Sequence, residues 1–213
     1  MNWASGSDMA RTLVIETATA ACSVALIEAG AVVARAHEVV GRGHAERLVP
    51  MIAALPDGGR ADTILVDCGP GSFTGIRVGI AAARGLGLGW GASVRGFSSL
   101  PLVAAAAFHA DPALGDIAVV LEGGHGEVFM QPFVPLSPTA DFASLPPAEA
   151  DARLAGAVAV GNGVRFLANG GREALPDAAD VILLPDALTG LPPRPIYGRA
   201  PDAKPMALRG PAA

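Results

Sequence analysis

The sequence predicts an α/β protein with mixed sheets, organised as two consecutive units. The first observation is the order of patterns in residues 11–110, which reads as three strands followed by alternating helices and strands. The second is a new hairpin pattern after residue 111, which opens a smaller unit over residues 111–213. The third is the composition, because 51% hydrophobic and 16% charged residues provide enough apolar material for a real core.

The first unit opens with β-like runs at residues 12–16, 22–28 and 31–39. Short polar or glycine-bearing turns separate these runs, and the second connection consists only of Ala29 and Gly30. A two-residue connection of this kind joins antiparallel strands. We therefore expect the runs to pair as successive hairpins.

The first unit then continues with helices separated by short strands. Apolar side chains recur at helical spacing in the first helix, although Pro50 restricts the turn before it. The second helix follows a glycine-rich turn and consists mainly of small residues, and the third is alanine-rich, with Ser98 or Ser99 as its N-cap. The expected bounds are a helix at 44–55, a strand at 63–67, a helix ending near Trp90, a strand at 94–97 and a helix ending near His109.

The second unit is expected to begin with a hairpin. Residues 117–121 and 127–134 read as its strands, with a glycine-rich turn between them. Residues 135–150 are rich in Pro, Ser and Ala, so we predict a loop there. A strand at 158–160 should lead into a short helix, whereas the proline content after residue 183 excludes a long helix.

The opening residues 1–10 are polar and include a second methionine, Met9, so we expect a disordered leader or an alternative start. They lack the basic and apolar regions of a signal peptide, and no apolar run is long enough to cross a bilayer. The expected location is therefore the cytoplasm, without membrane association. A return of the C-terminal tail to the first unit is left open.

Charge and cysteine usage exclude several functions. A formal net charge of −5 gives no global reason to bind a phosphate backbone, so any RNA should be held by a partner. Cys22 and Cys68 each lie in apolar runs without a second ligand residue nearby, which predicts buried free thiols. No metal ligand set is visible in the sequence, and no cofactor is expected.

A glycine-rich string at residues 69–79, Gly-Pro-Gly-Ser-Phe-Thr-Gly-Ile-Arg-Val-Gly, lies between a strand and a helix. Its glycines permit a tight turn, and Ser72 or Thr74 can cap the helix that follows. Such a turn could hold an anion at the helix N-terminus. A phosphate loop of the Walker type also needs a Lys before a Ser or Thr, and this string contains no Lys. We therefore favour a structural strand-to-helix turn.

Several polar residues allow a functional and a structural interpretation. Glu16 and Glu122 each end a strand and could form a metal-binding pair, but we favour turn acids. His44 and Ser72 could be read as a base and a nucleophile, but His44 is expected to border the first helix instead. Arg77 and Arg84 lie seven residues apart on one helix face and could contact phosphate. We favour the interpretation that they face solvent or a partner.

The long helix also contains a stripe of small residues. Gly75, Gly79, Ala83, Gly87 and Gly91 recur every four residues and therefore share one face. Each interior glycine costs about 1 kcal/mol of helix stability relative to Ala, so close packing must compensate. The stripe either docks a partner, with apolar contacts from Ile76, Ile80 and Leu88 beside it, or lies on the chain's own sheet. We predict that the stripe docks a partner.

The string at residues 69–79 is similar, almost residue for residue, to the signature of the TsaB family. Other segments follow in the order of that family: 13–19 with 22–26, 44–51, 126–129 and 195–199. Two positions depart from its pattern, because the family usually has Asp where this chain has Glu16 and an Asp-Ala-Arg-like turn where it has Glu122-Gly123-Gly124. The resemblance implies two ribonuclease-H-like units of the actin-like ATPase superfamily, with the second unit reduced.

The resemblance also implies a function. A TsaB-like chain is a non-catalytic dimerisation subunit that binds and organises TsaD, with TsaE as a further partner, in the complex that transfers threonylcarbamoyl to tRNA adenosine next to the anticodon. It would touch tRNA only through the complex, and self-association without TsaD is left open. The implied interface comprises Gly75, Ile76, Gly79, Ile80, Ala83 and Gly87 of the long helix with Leu48 and Met51 of the first helix.

A rival interpretation is a free-standing actin-like nucleotide-dependent phosphotransferase or hydrolase. Its site would combine the acids that end strands with the loop at residues 69–75. In a TsaB-like chain the same positions would be a vestigial nucleotide site. The residues in question are Glu16, Gly69, Gly71, Ser72, Thr74 and Glu122.

Overall fold

A computed structural model describes residues 10–135 and 137–198, which form two five-stranded sheets with helices around and between them. The strands are Arg11–Glu16 (β1), Ala21–Glu28 (β2), Ala31–Val39 (β3), Thr63–Asp67 (β4), Ser93–Phe97 (β5), Ile117–Gly124 (β6), Glu127–Val134 (β7), Ser137–Pro138 (β8), Ala143–Leu145 (β9) and Val158–Val160 (β10). The α-helices are His44–Ala53 (α1), Phe73–Trp90 (α2), Ser99–Ala110 (α3) and Pro147–Leu154 (α4). Short 3₁₀ helices cover Pro56–Gly59, Val164–Phe166, Ala178–Leu183 and Asp186–Leu188.

The first sheet is mixed and has the strand order β3-β2-β1-β4-β5. Strands β1, β2 and β3 pair antiparallel, which confirms the predicted hairpins. Strands β4 and β5 add in parallel on the other side of β1, with helices in the connections. The carboxyl ends of β1 and β4 therefore meet at one edge of the sheet.

The two faces of the first sheet are covered by different helices. Leu13 and Ile15 of β1 pack with α1 and α2, whereas Val14 between them packs on the opposite side with α3 and the Ala178–Leu183 helix. This alternation follows the two-residue period of a strand. Both faces are buried, which explains why β1 and β2 are almost continuously apolar in sequence.

Helix α3 links the two sheets. Leu102 and Ala105 pack against the first sheet, while Leu100 and Phe108 pack against β6 and β7 of the second sheet. A helix that is apolar on every side is expected to be buried. The two sheets therefore share α3 as a common core helix.

The second sheet has the order β10-β6-β7-β8, and β9 also pairs with β7. The predicted hairpin of β6 and β7 and the strand at 158–160 are confirmed, and the short helix after Gly163 is a 3₁₀ turn. The prediction of a loop over 135–150 is wrong, because β8, β9 and α4 lie there. Pro147 occupies the first turn of α4, where its missing N–H is tolerated, so the proline content misled the interpretation.

Residues 178–197 lie against the first unit. The Ala178–Leu183 helix packs on α3 and the first sheet, and Leu191 then bridges to Gly96 of β5. The Ile196 N–H donates to the carbonyl of Cys68 at 2.8 Å. We call residues 191–197 the C-terminal strap.

The predicted leader, including Met9, falls mainly outside the described residues, as does Arg199. Among the helices that the structure describes, none has both the length and the hydrophobicity needed to cross a membrane.

Candidate functional site

The glycine-rich loop between β4 and α2 is closed by its own hydrogen bonds. The Ser72 N–H donates to the Ala18 carbonyl at 2.6 Å, and the Ser72 hydroxyl accepts from the Gly75 N–H at 3.2 Å. Ser72 is thus the N-cap, as one of the two predicted options had it. A Cβ atom on Gly71 would lie 2.0 Å from the Ala18 oxygen, so the loop lies directly on the turn after β1. The N–H groups of Ser72 and Gly75 are therefore bonded within the chain and are not available to an anion. This agrees with the interpretation of the loop as a structural strand-to-helix turn.

Two buried carboxyl groups lie beneath this loop, on Glu16 and Asp67. They end the neighbouring parallel strands β1 and β4, whose preceding residues Ile15 and Val66 are paired. One oxygen of Asp67 accepts from the Gly69 N–H at 2.6 Å and from the Ser99 hydroxyl at 2.9 Å. One oxygen of Glu16 accepts from the Ala18 N–H at 2.6 Å. The pair therefore anchors the loop, the turn after β1 and the start of α3.

The second oxygen of each carboxyl group is buried without a hydrogen-bond partner. Burial raises the pKa of Asp67 to about 7. Burial first, and then the neighbouring charge of Asp67, raises the pKa of Glu16 well above its usual range. Because a buried ionised carboxyl group without full pairing is costly, both groups hold their protons to a higher pH than exposed carboxyl groups do.

Sequence reasoning missed Asp67 and considered Glu122 as the partner of Glu16. Glu122 instead pairs with Arg165 at the surface. Among the residues described here, no group of three or more His, Cys, Asp or Glu side chains could hold a metal ion. The parallel pairing of β1 and β4 could have identified Asp67, because the carboxyl ends of parallel neighbours share one sheet edge.

His44 and Ser72 have separate partners. The His44 Nε2 atom contacts the Ala21 carbonyl oxygen at 2.9 Å, so it carries the proton and donates. That nitrogen cannot accept a proton from a serine in this state. His44 is buried at the start of α1, in agreement with the interpretation that it borders the helix.

Both cysteines are buried free thiols, as predicted. Burial raises the pKa of the Cys22 thiol to about 11 and that of the Cys68 thiol to about 12. Neither is a reactive thiolate at neutral pH.

The small-residue stripe of α2 packs on the chain's own sheet from Gly75 to Gly87, which corrects the prediction that it faces a partner, and Gly91 at the end of the helix is exposed. A Cβ atom on Gly75 would lie 2.0 Å from the Thr17 carbonyl oxygen, and one on Gly79 would lie 2.4 Å from the Thr17 hydroxyl. A Cβ atom on Gly87 would lie 2.5 Å from a methyl group of Val94. The spacing identified a common face correctly but could not say what that face contacts.

The other residues of the expected interface are also in the core. They are Ile76, Ile80 and Ala83 of α2 with Leu48 and Met51 of α1. A role for α1 and α2 in partner binding stays a prediction, but different side chains must make the contact.

An outward face remains exposed on the same two helices. We define it as Val49 and Ala53 of α1 with Ala81, Gly85, Leu88 and Gly89 of α2. Leu88 is 89% exposed and Val49 is 57% exposed. Nothing lies within 4 Å of the Cβ positions of Gly85 and Gly89, so no contact within the chain requires glycine there.

Arg77 and Arg84 lie on the flank of α2 that faces the C-terminal strap. The Arg84 guanidinium donates to the Pro193 carbonyl at 2.7 Å, and that of Arg77 donates to the Tyr197 hydroxyl at 2.8 Å. The Arg77 guanidinium also stacks 3.4 Å from the centre of the Phe73 ring. Both side chains are exposed, but they contact the chain's own strap in addition to solvent.

Residues 32–176 match the family model "TsaD: tRNA N6-adenosine threonylcarbamoyltransferase". The chain is 40% identical over 127 residues to "tRNA threonylcarbamoyladenosine biosynthesis protein TsaB" of Escherichia coli K12, an alignment that covers 56% of this chain and 53% of that protein. It is 32% identical over 206 residues to an uncharacterised protein of Mycobacterium tuberculosis H37Rv, covering 92% and 95% of the two chains.

Among solved structures, "YeaZ from Pseudomonas aeruginosa" superposes with a TM-score of 0.74 at 27% identity, covering 89% of this chain and all of that one. The fold and the closed glycine-rich loop define a two-unit α/β protein of the class to which YeaZ belongs. The chain is a member of the TsaB (YeaZ) family. Its match spans about half the length of E. coli TsaB.

Proposed function

We propose that this chain is a non-catalytic subunit of the machinery that makes threonylcarbamoyladenosine in tRNA, and that it binds and organises a TsaD-class partner in the cytoplasm. TsaE would join as a further component. The E. coli relative is named for threonylcarbamoyladenosine biosynthesis, which suggests the process for this chain. The family model that matches residues 32–176 is that of TsaD, which suggests that this chain is related to its proposed partner.

The observation that supports this role most strongly is the outward face of α1 and α2. Exposed interior glycines cost about 1 kcal/mol each in helix stability relative to Ala. Gly75, Gly79 and Gly87 are compensated by close packing within the chain, but Gly85 and Gly89 are not. Together with the exposed Leu88, they form a low-relief apolar surface that a partner helix can approach closely.

The chemistry of the described residues is consistent with a non-catalytic role. The glycine-rich loop uses Ser72 to close itself, and Glu122 is paired with Arg165. Glu16 is fully buried. A pocket of about 490 Å³ lies in the second unit, lined by residues that include Asp116, Phe133 and Leu154, and none of the candidate nucleotide residues line it.

The experiment is co-purification of the tagged chain with TsaD of the same organism. Wild-type chain should retain TsaD, and Gly85→Leu should lose it, because a large side chain would fill the close-approach surface. Leu at this open position should leave the circular dichroism and the melting temperature of the lone chain unchanged or higher.

The matched control is Gly115→Leu, at a glycine whose Cβ position is also open but which lies outside α1 and α2. It should bind TsaD like wild type. If wild-type chain fails to retain TsaD, the proposed function is wrong. If Gly85→Leu binds normally, the outward face is not the interface.

The rival, a free-standing phosphotransferase or hydrolase, requires nucleotide binding by the isolated chain. Titration calorimetry with MgATP should give no binding heat. Binding that Glu16→Gln abolishes, while the fold is retained, would favour the rival.

A further inference from the structure

The flank of α2 beside the C-terminal strap has an unusual charge distribution for a chain with a net charge of −5. Residues 68–110 contain Arg77, Arg84 and Arg95 but no Asp or Glu, and residues 187–198 contain Arg194 and again no acid. The strap and α2 thus bring together two acid-free segments of the sequence.

Arg77 and Arg84 are held in place by neutral groups. Other arginines of the chain pair with carboxylates, such as Arg47 with Glu38 and Arg172 with Asp111. Within residues 10–135 and 137–198, no carboxylate forms an ion pair with Arg77 or Arg84. Their hydrogen bonds go to a phenol hydroxyl and a backbone carbonyl, which fix the guanidinium groups without neutralising them.

The two arginines also have a defined position relative to the outward face. Seven residues are two helical turns, so their charges lie roughly 10 Å apart along one side of α2. Ala81 and Gly85 follow Arg77 at four-residue spacing, and Leu88 follows Arg84 at the same spacing, so both arginines lie beside the outward face. A partner that covers the outward face must therefore also meet this pair of charges.

We propose that Arg77 and Arg84 form a basic rim of the interface and dock carboxylate side chains of the TsaD-class partner. This inference rests on the proposed function. A guanidinium group whose geometry is already fixed loses little side-chain entropy on pairing with a carboxylate. Charges at an interface rim chiefly accelerate association and select the partner.

An anionic protein surface fits the observations better than an RNA backbone. The basic flank is continuous with an apolar, low-relief helix face, which is a feature of protein interfaces. Phosphate backbones are usually bound by larger clusters of Lys and Arg, and the net charge of −5 would oppose a polyanion.

The test measures the affinity of the chain for TsaD at low and high salt. Wild-type affinity should fall as salt rises from about 50 mM to about 500 mM. Arg84→Glu should weaken binding about tenfold at the lower salt concentration, and by much less at the higher one. Arg95→Glu, which changes an exposed arginine on β5, should bind like wild type.

Arg84 also holds the strap, so a second variant separates charge from structure. Arg84→Lys keeps the charge and should retain most of the affinity. Equal losses for Arg84→Lys and Arg84→Glu, or no loss for Arg84→Glu, would overturn the inference while leaving the proposed function intact. It would also be overturned if Arg84→Glu weakened only tRNA binding by the complex. Failure of wild-type chain to bind TsaD would instead count against the proposed function.

Discussion

At the scale of single residues, the buried carboxyl groups of Glu16 and Asp67 explain both the rigidity of the glycine-rich loop and a cost in stability. Asp67 orders the loop through the Gly69 N–H and the start of α3 through Ser99. Burial nevertheless raises the pKa of Asp67 to about 7, above its value in an unfolded chain. The folded state therefore binds a proton at Asp67 that the unfolded state releases between about pH 4 and pH 7, so the contribution of Asp67 to stability should fall as pH rises through that interval.

Asp67→Asn should remove the part of this pH dependence that comes from Asp67 and leave the part that comes from the buried Glu16. The side-chain oxygen of Asn can still accept from Gly69 and Ser99, and its amide replaces the carboxylate oxygen that has no partner. We expect a melting temperature several degrees above wild type at about pH 8 and little difference at about pH 4, because only the wild-type carboxyl group is ionised at the higher pH. The measurement is thermal unfolding across this pH range.

The control for this experiment is Asp116→Asn, which changes an exposed acid in the second unit and should follow the wild-type curve. If the difference in melting temperature between Asp67→Asn and wild type did not grow between about pH 4 and pH 8, the ionised Asp67 carboxyl group would not be the source of the cost in stability.

Residue roles were predictable from sequence where the cause is local. The N-cap options included Ser72 because a cap depends on residues within one helical turn. Asp67 was missed because its importance depends on the pairing of β4 with β1, which lies about fifty residues away in sequence. The contacts of Arg77 and Arg84 with the strap were missed for the same reason.

At the scale of elements, α2 contains two sets of glycines with opposite surroundings. Gly87 is buried against Val94, whereas Gly85 and Gly89 face open space. The four-residue spacing separates the two sets by helix face, but it could not say which face the sheet covers. The elements themselves were easier to predict, and α2 was expected to end near Trp90, as observed.

Alanine substitutions should separate the two sets. Gly87→Ala should destabilise the lone chain by about 1–3 kcal/mol, because a β-branched neighbour cannot move aside cheaply. Gly85→Ala should stabilise it by up to about 1 kcal/mol through helix propensity alone. Urea unfolding should show a lower free energy of unfolding than wild type for Gly87→Ala and a higher one for Gly85→Ala. A loss of stability in Gly85→Ala would mean that this position is packed within the chain.

Elements in the second unit were harder to predict because their cues conflict. Proline in residues 135–150 suggested a loop, yet it begins α4, whose Ala150 is buried among the residues of the second sheet. Here tertiary packing outweighed composition. The hairpin of β6 and β7 was predictable, since its strands are adjacent in sequence.

At the scale of the whole molecule, α3 is enclosed between the two sheets, whereas α4 buries only one side against the second sheet. Helices α1 and α2 cover one face of the first sheet with their inner sides and expose their outer side. The exposed side contains small and apolar residues, flanked by the arginines that hold the strap. We infer that the molecule is built to present this surface to a partner.

The most direct test is threonylcarbamoyl incorporation into tRNA, reconstituted from purified TsaD and TsaE of the same organism and a supplied threonylcarbamoyl donor, with and without this chain. We expect incorporation only when the chain is present. Gly85→Leu should abolish it, while Gly115→Leu should support incorporation like wild type. Equal incorporation without the chain, or full incorporation with Gly85→Leu, would contradict the account.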